Sequence, residues 1–262
     1  MAKFKISNFL KVLLLLPLLS LYASAQIIRR PIPDKLVVLT FDDAVVSHAT
    51  YVAPLLKKYG FGATFYVCEF GGNPNFSDKT KYMTWEQIAS LNKMGFEVGN
   101  HTWHHTHVNK LSKEKLTAEL DYIEQKCAEY HIPKPVTFAY PGYDTGRVAL
   151  QVLREKGYRF ARAGWDRLYQ PEKDRPYLVP GYTTHTEKKD EIYNIINGAK
   201  NGNIAVLTIH GVPDDAHPWV TTSPLVFEEL LNYLKTNHYK VIAMRDLEQY
   251  VNVDAALALK NQ

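Results

Sequence analysis

Cysteine is scarce in this sequence: Cys68 and Cys127 are the only two among 262 residues. Two cysteines cannot form the dense disulfide framework that stabilises many small secreted domains. The two thiols could still pair with each other in an oxidising compartment, and the sequence alone leaves that pairing open. Most of the stability is therefore expected to come from a hydrophobic core, which a chain of this length can make large.

The sequence also lacks a polybasic block, a low-complexity segment and an internal repeat. Three of its 31 lysines and arginines lie within residues 1–25, which contain no acidic residue, so the remaining chain has 28 basic and 27 acidic residues. A balance so close to neutrality, without a basic patch, argues against nucleic acid as a partner.

No apolar run in the sequence is long enough for a comfortable membrane span. The run from Val12 to Leu21 follows three lysines and precedes small residues at positions 23–25, as in a secretory signal peptide. Cleavage is predicted between Ala25 and Gln26, with an uncleaved anchor as the alternative. We therefore expect a periplasmic or secreted protein with no stable membrane span after signal removal. The sequence does not determine its oligomeric state.

The chain does contain a regular alternation of apolar runs and amphipathic stretches. The run from Leu36 to Phe41 is almost continuously apolar, as expected for a strand buried on both faces of a parallel sheet. Helical spacing, clearest from Ser112 to Tyr130, alternates with such runs seven or eight times without a break. This pattern predicts that residues 26–262 form one α/β domain, a (β/α) barrel. An open doubly wound sheet is the alternative.

Polar clusters follow several of the predicted strands. They come after Phe41, Gly99, Tyr140, Ala163 and Ile209. The C-terminal ends of parallel strands meet at one end of a barrel, where barrel enzymes build their active sites. The sequence therefore predicts that these clusters form one site.

The richest cluster has four histidines in seven positions: His101, His104, His105 and His107. His101 and His105 are four residues apart, so a helical turn or tight loop could direct both imidazoles at one point. A carboxylate from the pair Asp42-Asp43 would complete two nitrogens and one oxygen around a divalent metal, with a position left for water. A solvated histidine-rich loop is the alternative for the histidines alone, but the aspartate pair favours a hydrolytic site.

Three motifs in the chain resemble those of the polysaccharide deacetylases, which are carbohydrate esterase family four. They are TFDDA at residues 40–44, HTWHH at 101–105 and LTIH at 207–210, and they occur in the order found in that family. The resemblance implies a deformed (β/α) barrel with seven or eight mostly parallel strands. It also implies metal-dependent hydrolysis of acetyl groups on sugars, usually on N-acetylglucosamine.

Carried over by position, the resemblance implies roles for individual residues. Asp42 would be the general base, Asp43, His101 and His105 the metal ligands, and His210 the general acid. A metal-bound water would be the nucleophile. Zinc suits this ligand set, although cobalt, nickel or ferrous iron would also fit. The chemistry agrees, because one of two adjacent carboxylates can stay ionised on a metal while the other accepts a proton.

The chain departs from the family motif that usually reads arginine, any residue, proline and an aromatic. Ala139 stands at the arginine position and Gly142 at the aromatic position, with Tyr143 one residue later. If Gly142 supplies a backbone N–H to the oxyanion, its missing side chain is expected to open that part of the groove. The arginine that orients the base would come from elsewhere, with Arg162 as the first candidate and Arg245 as the second.

Ala44 is a further departure, because glycine is common at that position in the family. Tyr143, Trp165 and Trp219 are the predicted substrate-binding side chains, since aromatic rings can stack on sugars; a packing role is the alternative for the two tryptophans. The sequence predicts a secreted, metal-dependent carbohydrate deacetylase. An O-acetyl esterase, another amide hydrolase and a catalytically silent glycan-binding protein on the same scaffold are the alternatives, and the glycan and acetyl position are open.

Overall fold

The computed structural model of the chain describes residues 26–73 and 77–259. The predicted signal peptide, residues 1–25, lies outside the described residues, as do residues 74–76 and 260–262. Within the described ranges, none of the helices combines the length and the apolar character that a membrane crossing requires.

The centre of the fold is a ring of parallel strands. The described residues contain eight: β1 Leu36–Phe41, β2 Thr64–Val67, β3 Glu97–Asn100, β4 Thr137–Ala139, β5 Phe160–Trp165, β6 Val179–Thr183, β7 Ala205–Ile209 and β8 Lys240–Ile242. Strands β1 to β7 form a closed ring, because β1 pairs with both β2 and β7. β8 is an additional strand beside β1. The predicted deformed (β/α) barrel with seven or eight strands is confirmed.

Closure of the barrel depends on β1, in which every residue is fully buried. β1 pairs with β7 from Val37 to Phe41, with β8 over its first three residues, and with β2 only at Thr40 and Phe41. The contact between β1 and β2 therefore joins the C-terminal end of β1, which leads into the aspartate pair, to the first two residues of β2.

Helices connect the strands and cover the outside of the barrel. They are α1 Ala53–Tyr59, α2 Trp85–Lys93, α3 Lys113–Glu129, α4 Arg147–Glu155, α5 Lys189–Asn197, α6 Pro224–Thr236 and α7 Val253–Leu259. α2 begins with a complete capping box between Thr84 and Gln87, which satisfies two backbone N–H groups that a helix start leaves unpaired. α3 buries the face from Leu116 to Cys127, at the helical spacing that the sequence predicts.

Two local predictions are wrong. The spacing of residues 47–59 predicts one helix capped by Ser47; these residues are helical, with a π-helical segment, His48–Val52, leading directly into α1, but Ser47 makes no capping hydrogen bond. The Ser47 hydroxyl instead accepts a hydrogen bond from the Val212 N–H at 2.9 Å, which joins the loop after β1 to the loop after β7. The sequence also predicts a last helix ending near residue 251, whereas the structure has a 3-10 segment, Met244–Gln249, followed by α7.

The two cysteines do not pair in the structure. Cys68 and Cys127 are both buried free thiols. Cys127 packs in the large apolar cluster that α1, α2 and α6 form with the barrel, where a thiol behaves as a small hydrophobic group. The disulfide that the sequence left open is therefore absent.

Candidate metal centre and catalytic site

The C-terminal ends of the strands surround a cavity of about 560 Å³. The sequence-predicted site residues that line it are Asp42, Asp43, His101, His105, Gly142, Tyr143, His210 and Trp219. They come from the ends of β1, β3, β4 and β7 and from the loop after β7. The structure therefore brings the polar clusters of several strands to one place.

Three of these side chains form a group that could hold a metal ion. Asp43 Oδ1 lies 3.4 Å from His101 Nε2 and 3.3 Å from His105 Nε2, and the three ligand atoms lie within 4.8 Å of one another. Ligands at about 2.0–2.1 Å from a tetrahedral zinc ion lie roughly 3.3–3.4 Å apart. The spacing of these atoms therefore fits a small divalent cation.

Contacts behind the ligands support the same conclusion. His101 Nδ1 lies 2.8 Å from the carbonyl oxygen of Ala139, which can only accept, so Nδ1 carries the proton and donates. Nε2 is then the nitrogen that points towards Asp43, and once it is deprotonated its lone pair can coordinate a metal. Metal-binding histidines usually have such a partner on the second ring nitrogen.

The electrostatics of the three groups suit a cation as well. Burial alone would raise the pKa of Asp43, but its hydrogen bond with His101 and the charges of His105 and His210 hold that pKa well below its usual value. Burial lowers the pKa of His105 to about 4. Burial also opposes the charge on His101, yet Asp42 and Asp43 raise its pKa above the usual value. A cation would compete with this proton, because metal ligands must be deprotonated.

Asp42 forms a buried ion pair with Arg162. Arg162 Nη2 donates to Asp42 Oδ2 at 2.5 Å, and Nη1 donates to the Thr208 hydroxyl at 2.9 Å. The exposed fractions are 0% for Arg162 and 2% for Asp42. Burial would lower the pKa of Arg162, but the charge of Asp42 raises it, so the guanidinium stays charged. Arg245 is not near Asp42; its Nη2 donates to the Gly95 carbonyl oxygen.

The second carboxylate oxygen of Asp42 has no such partner. Asp42 Oδ1 is buried and accepts no hydrogen bond within the part of the chain that the structure describes. Buried polar atoms are nearly always paired, so an unpaired acceptor beside the cavity indicates a position for a water or substrate hydrogen.

His210 also faces Asp43, with its Nε2 3.9 Å from Asp43 Oδ2. The backbone carbonyl oxygen of His210 lies 2.5 Å from Nε2 of His48, a buried imidazole whose ring packs against Phe41 and Phe65. Burial lowers the pKa of His48 to about 4. His48 is therefore neutral and donates from Nε2, which holds the backbone beneath His210.

This buried histidine makes the stability of the protein depend on pH. The pKa of His48 is lower in the folded state than its usual value of 6.5, so its contribution is complete above pH 6.5 and is lost as the pH falls towards 4. The loss is at most about 3 kcal/mol. We expect the free energy of unfolding, measured by urea denaturation, to fall less between pH 7 and pH 5 in His48→Gln. An equal fall in both proteins would contradict the prediction.

The turn after β4 differs from the sequence-based expectation for Gly142. Gly142 and Tyr143 both have left-handed backbones, with φ of 59° and 62°. A Cβ atom on Gly142 would lie 2.4 Å from the His107 ring, and His107 Nδ1 is 2.8 Å from Asp144 Oδ2. The expectation of an open groove is therefore wrong, because the imidazole of His107 occupies the space that a side chain would need.

The loop after β7 contributes a residue pair that the sequence analysis did not single out. Asp214 is 2% exposed and accepts hydrogen bonds from the backbone N–H groups of Gly211, Ala216 and His217. The His217 ring lies 3.3 Å from Asp214 Oδ2 and 3.8 Å from Asp43 Oδ2. Asp214 thus organises the loop and places His217 in the cavity wall. The available sequence signal is the aspartate itself, because an aspartate side chain often accepts hydrogen bonds from backbone N–H groups two to three residues later.

The predicted sugar-binding side chains have different positions. Trp219 is 72% exposed and lines the cavity. Tyr143 lines it as well, and its hydroxyl is 2.7 Å from that of Thr183. Trp165 is 51% exposed, but it is not among the residues that line the cavity, whereas the next residue, Asp166, is.

A family model described as polysaccharide deacetylase matches residues 29–161, just over half of the chain. The chain belongs to the polysaccharide deacetylase family. It is 26% identical over 222 residues to a peptidoglycan-N-acetylglucosamine deacetylase of Bacillus cereus, and the alignment covers 84% of this chain and 91% of that enzyme.

Solved structures show the same fold at lower identity. A family 4 acetyl xylan esterase from Clostridium thermocellum, in complex with a cobalt ion, has a TM-score of 0.55 at 23% identity over 81% of this chain and 90% of the other. A CE4 family pseudoenzyme from Bacillus anthracis has a TM-score of 0.56 at 17% identity over 83% of this chain and 66% of the other. Because both active and inactive proteins share the fold, the reaction must be argued from the site.

Two departures from the polysaccharide deacetylase motifs now have physical explanations. Ala139, at the position where the family motif has arginine, pairs directly with Arg162 across β4 and β5. The neighbouring strand therefore supplies an arginine beside the position where the motif arginine is missing. Ala44 has a φ of 52°, a left-handed conformation that glycine adopts without strain and alanine adopts at a cost of roughly 1–2 kcal/mol. The preference of the family for glycine there follows from this backbone.

Proposed function

We propose that this protein is a secreted or periplasmic hydrolase that uses a divalent metal to remove acetyl groups from an N-acetylated sugar polymer or oligomer. The observation that carries the proposal is the division between two adjacent carboxylates. Asp43 faces two imidazole nitrogens at metal-ligand spacing, whereas Asp42 is paired with Arg162 through one oxygen and has the other unpaired beside the cavity.

Asp43, His101 and His105 would hold the metal. Two imidazoles and one carboxylate suit zinc, and cobalt, nickel or ferrous iron are also compatible with these ligands. When bound, the cation would make a water more acidic and polarise the acetyl carbonyl group. Side chains and backbone groups of the chain itself would carry out the proton transfers, stabilise the oxyanion and contact the sugar.

Asp42 would accept the proton of the attacking water on Oδ1, while Arg162 keeps the carboxylate oriented through Oδ2. The Gly142 N–H would donate to the oxyanion that forms on the acetyl oxygen. His210, on the facing strand end, would give a proton to the leaving nitrogen. Tyr143 and Trp219 in the cavity wall would contact the sugar, and Trp165 would contact it outside the cavity.

The test is acetate release from a panel of N-acetylated and O-acetylated glycans by the mature protein. We expect release from N-acetylated members with zinc present, and loss of at least about 100-fold in rate after treatment with a chelator, because the reaction requires the cation. Adding zinc back should restore the rate. Mass spectrometry of the intact protein under native conditions measures the bound metal in parallel.

Two outcomes would replace the proposal. Release from O-acetylated glycans alone would assign an esterase activity to the same site. Binding of glycans without release of acetate, in protein shown to contain metal, would assign a catalytically silent glycan-binding function.

A further inference from the structure

Apart from the histidines, the charged side chains of the cavity wall are all acidic. Asp42, Asp43 and Asp166 line the cavity, and its described lining residues include neither lysine nor arginine. Asp42 is paired with Arg162, and Asp43 faces the two metal-ligand histidines. Asp166 is exposed at the rim, so its carboxylate is the one that an approaching substrate would meet first.

The backbone holds Asp166 in this position. The register between β5 and β6 shifts between Arg162 and Trp165, and Trp165 and Asp166 both have left-handed backbones, with φ of 78° and 45°. Asp166 Oδ1 accepts from the Thr183 N–H at 3.1 Å, and the Asp166 N–H donates to the Gly181 carbonyl oxygen. Such strained conformations persist where surrounding structure enforces them, and they cluster at functional sites.

The cationic side chains near Asp166 are engaged elsewhere. Arg167 donates from Nη1 and Nη2 to the two carboxylate oxygens of Asp174, at 2.9 and 2.7 Å. Lys188 lines an adjoining cavity that shares His185 and Trp219 with the catalytic one, and its Nζ lies 3.9 Å from a carboxylate oxygen of Glu191. Among the residues that the structure describes, no lysine or arginine forms an ion pair with Asp166.

We propose that Asp166 is a specificity-determining residue that favours acetylated sugars without a negative charge over those that carry a carboxylate next to the acetyl group. The inference rests on the proposed function, because it concerns the substrate of the same site. The physical reason is repulsion: two like charges a few ångströms apart at a hydrated surface disfavour binding by roughly five- to tenfold. Sugar hydroxyl groups, by contrast, can donate to the Asp166 carboxylate.

A matched pair of substrates isolates the charge. Oligosaccharides that contain N-acetylmuramic acid carry a lactyl carboxylate beside the acetamido group, and their methyl esters have nearly the same bulk without the charge. We expect kcat/KM for acetate release to be roughly tenfold higher for the methyl ester in the zinc-loaded wild-type protein. Asp166→Asn, which keeps the acceptor for Thr183, should reduce this ratio to about twofold, and Asp166→Lys should reverse it.

Glu172→Gln is the matched control, because it removes one exposed negative charge at a second cavity that shares no residue with the catalytic one. In Glu172→Gln, the ratio of kcat/KM for the methyl ester to kcat/KM for the acid should equal that of the wild-type protein. An unchanged ratio in Asp166→Asn would overturn the proposal.

Failure of the proposed function would be separate and recognisable. If no acetate is released from either form or from neutral N-acetylglucosamine oligomers, the hydrolase assignment fails. Charge selection is then measured by calorimetry as the ratio of dissociation constants for the acid and its methyl ester. Equal ratios in wild type and Asp166→Asn would overturn the selection itself, and a smaller ratio in the variant would support it.

Discussion

Asp42→Asn should lower kcat for acetate release by about 100- to 10,000-fold, because the amide cannot accept the proton of the attacking water. The substitution leaves Asp43, His101 and His105 unchanged, so zinc affinity should stay within about threefold of wild type. The new amide would still present an oxygen acceptor to Arg162 but would leave the guanidinium without its counter-charge. Steady-state kinetics and zinc titration by calorimetry, both on protein shown to be folded, measure the two quantities.

Asp43→Asn is the matched control for the neighbouring carboxylate. It removes the same charge one residue later in the chain, but we expect it to weaken zinc binding by at least about tenfold, because the oxygen that faces both histidines is then neutral. The assignment of roles predicts this contrast between adjacent aspartates. Equal loss of zinc affinity in the two variants would show that the carboxylates share the metal and that the division is wrong.

Arg162→Met should lower the free energy of unfolding by about 3–5 kcal/mol, because it leaves the buried carboxylate of Asp42 without a compensating charge. The guanidinium is fully buried and makes hydrogen bonds with both Asp42 and Thr208. Methionine has a similar length but cannot donate. Guanidinium chloride denaturation monitored by circular dichroism gives the stability, and acetate release gives the accompanying loss of rate.

Two further variants make this measurement specific. Arg245→Met, at the other arginine that the sequence suggested, should cost less than about 1 kcal/mol, because its guanidinium donates to a backbone oxygen at the surface. The double variant Asp42→Asn/Arg162→Met should be more stable than the sum of the two single losses predicts, since it removes both charges together. Strict additivity would mean that the ion pair contributes nothing.

The fold was predictable because its main sequence patterns are local. The continuous apolar run of β1 indicates a buried parallel strand, and the spacing in α3 indicates one buried face. The final part was predicted less well: residues 253–259 form α7, a short, alanine-rich helix, and packing rather than periodicity decides whether such a segment is helical.

The site residues that are neighbours in the sequence could be predicted from motifs. Those that strand register brings together could not. Asp42 and Asp43 are adjacent, but Arg162 reaches Asp42 only because β5 pairs with β4 so that Arg162 lies beside Ala139. The sequence suggested Arg162 without excluding Arg245, since register is a tertiary property. His107 is the opposite case: four neighbouring histidines gave no reason to place this one against Gly142.

The pairing of β1 with β2, β7 and β8 determines when the site can form during biosynthesis. The strand that leads into Asp42 and Asp43 is made first, yet two of its three partners are made last. Contacts so distant in sequence form slowly, so the nascent chain must expose an apolar strand until nearly the whole domain has emerged. The candidate site, which combines Asp42 and Asp43 after β1 with His210 after β7, can thus form only after β7 has paired with β1.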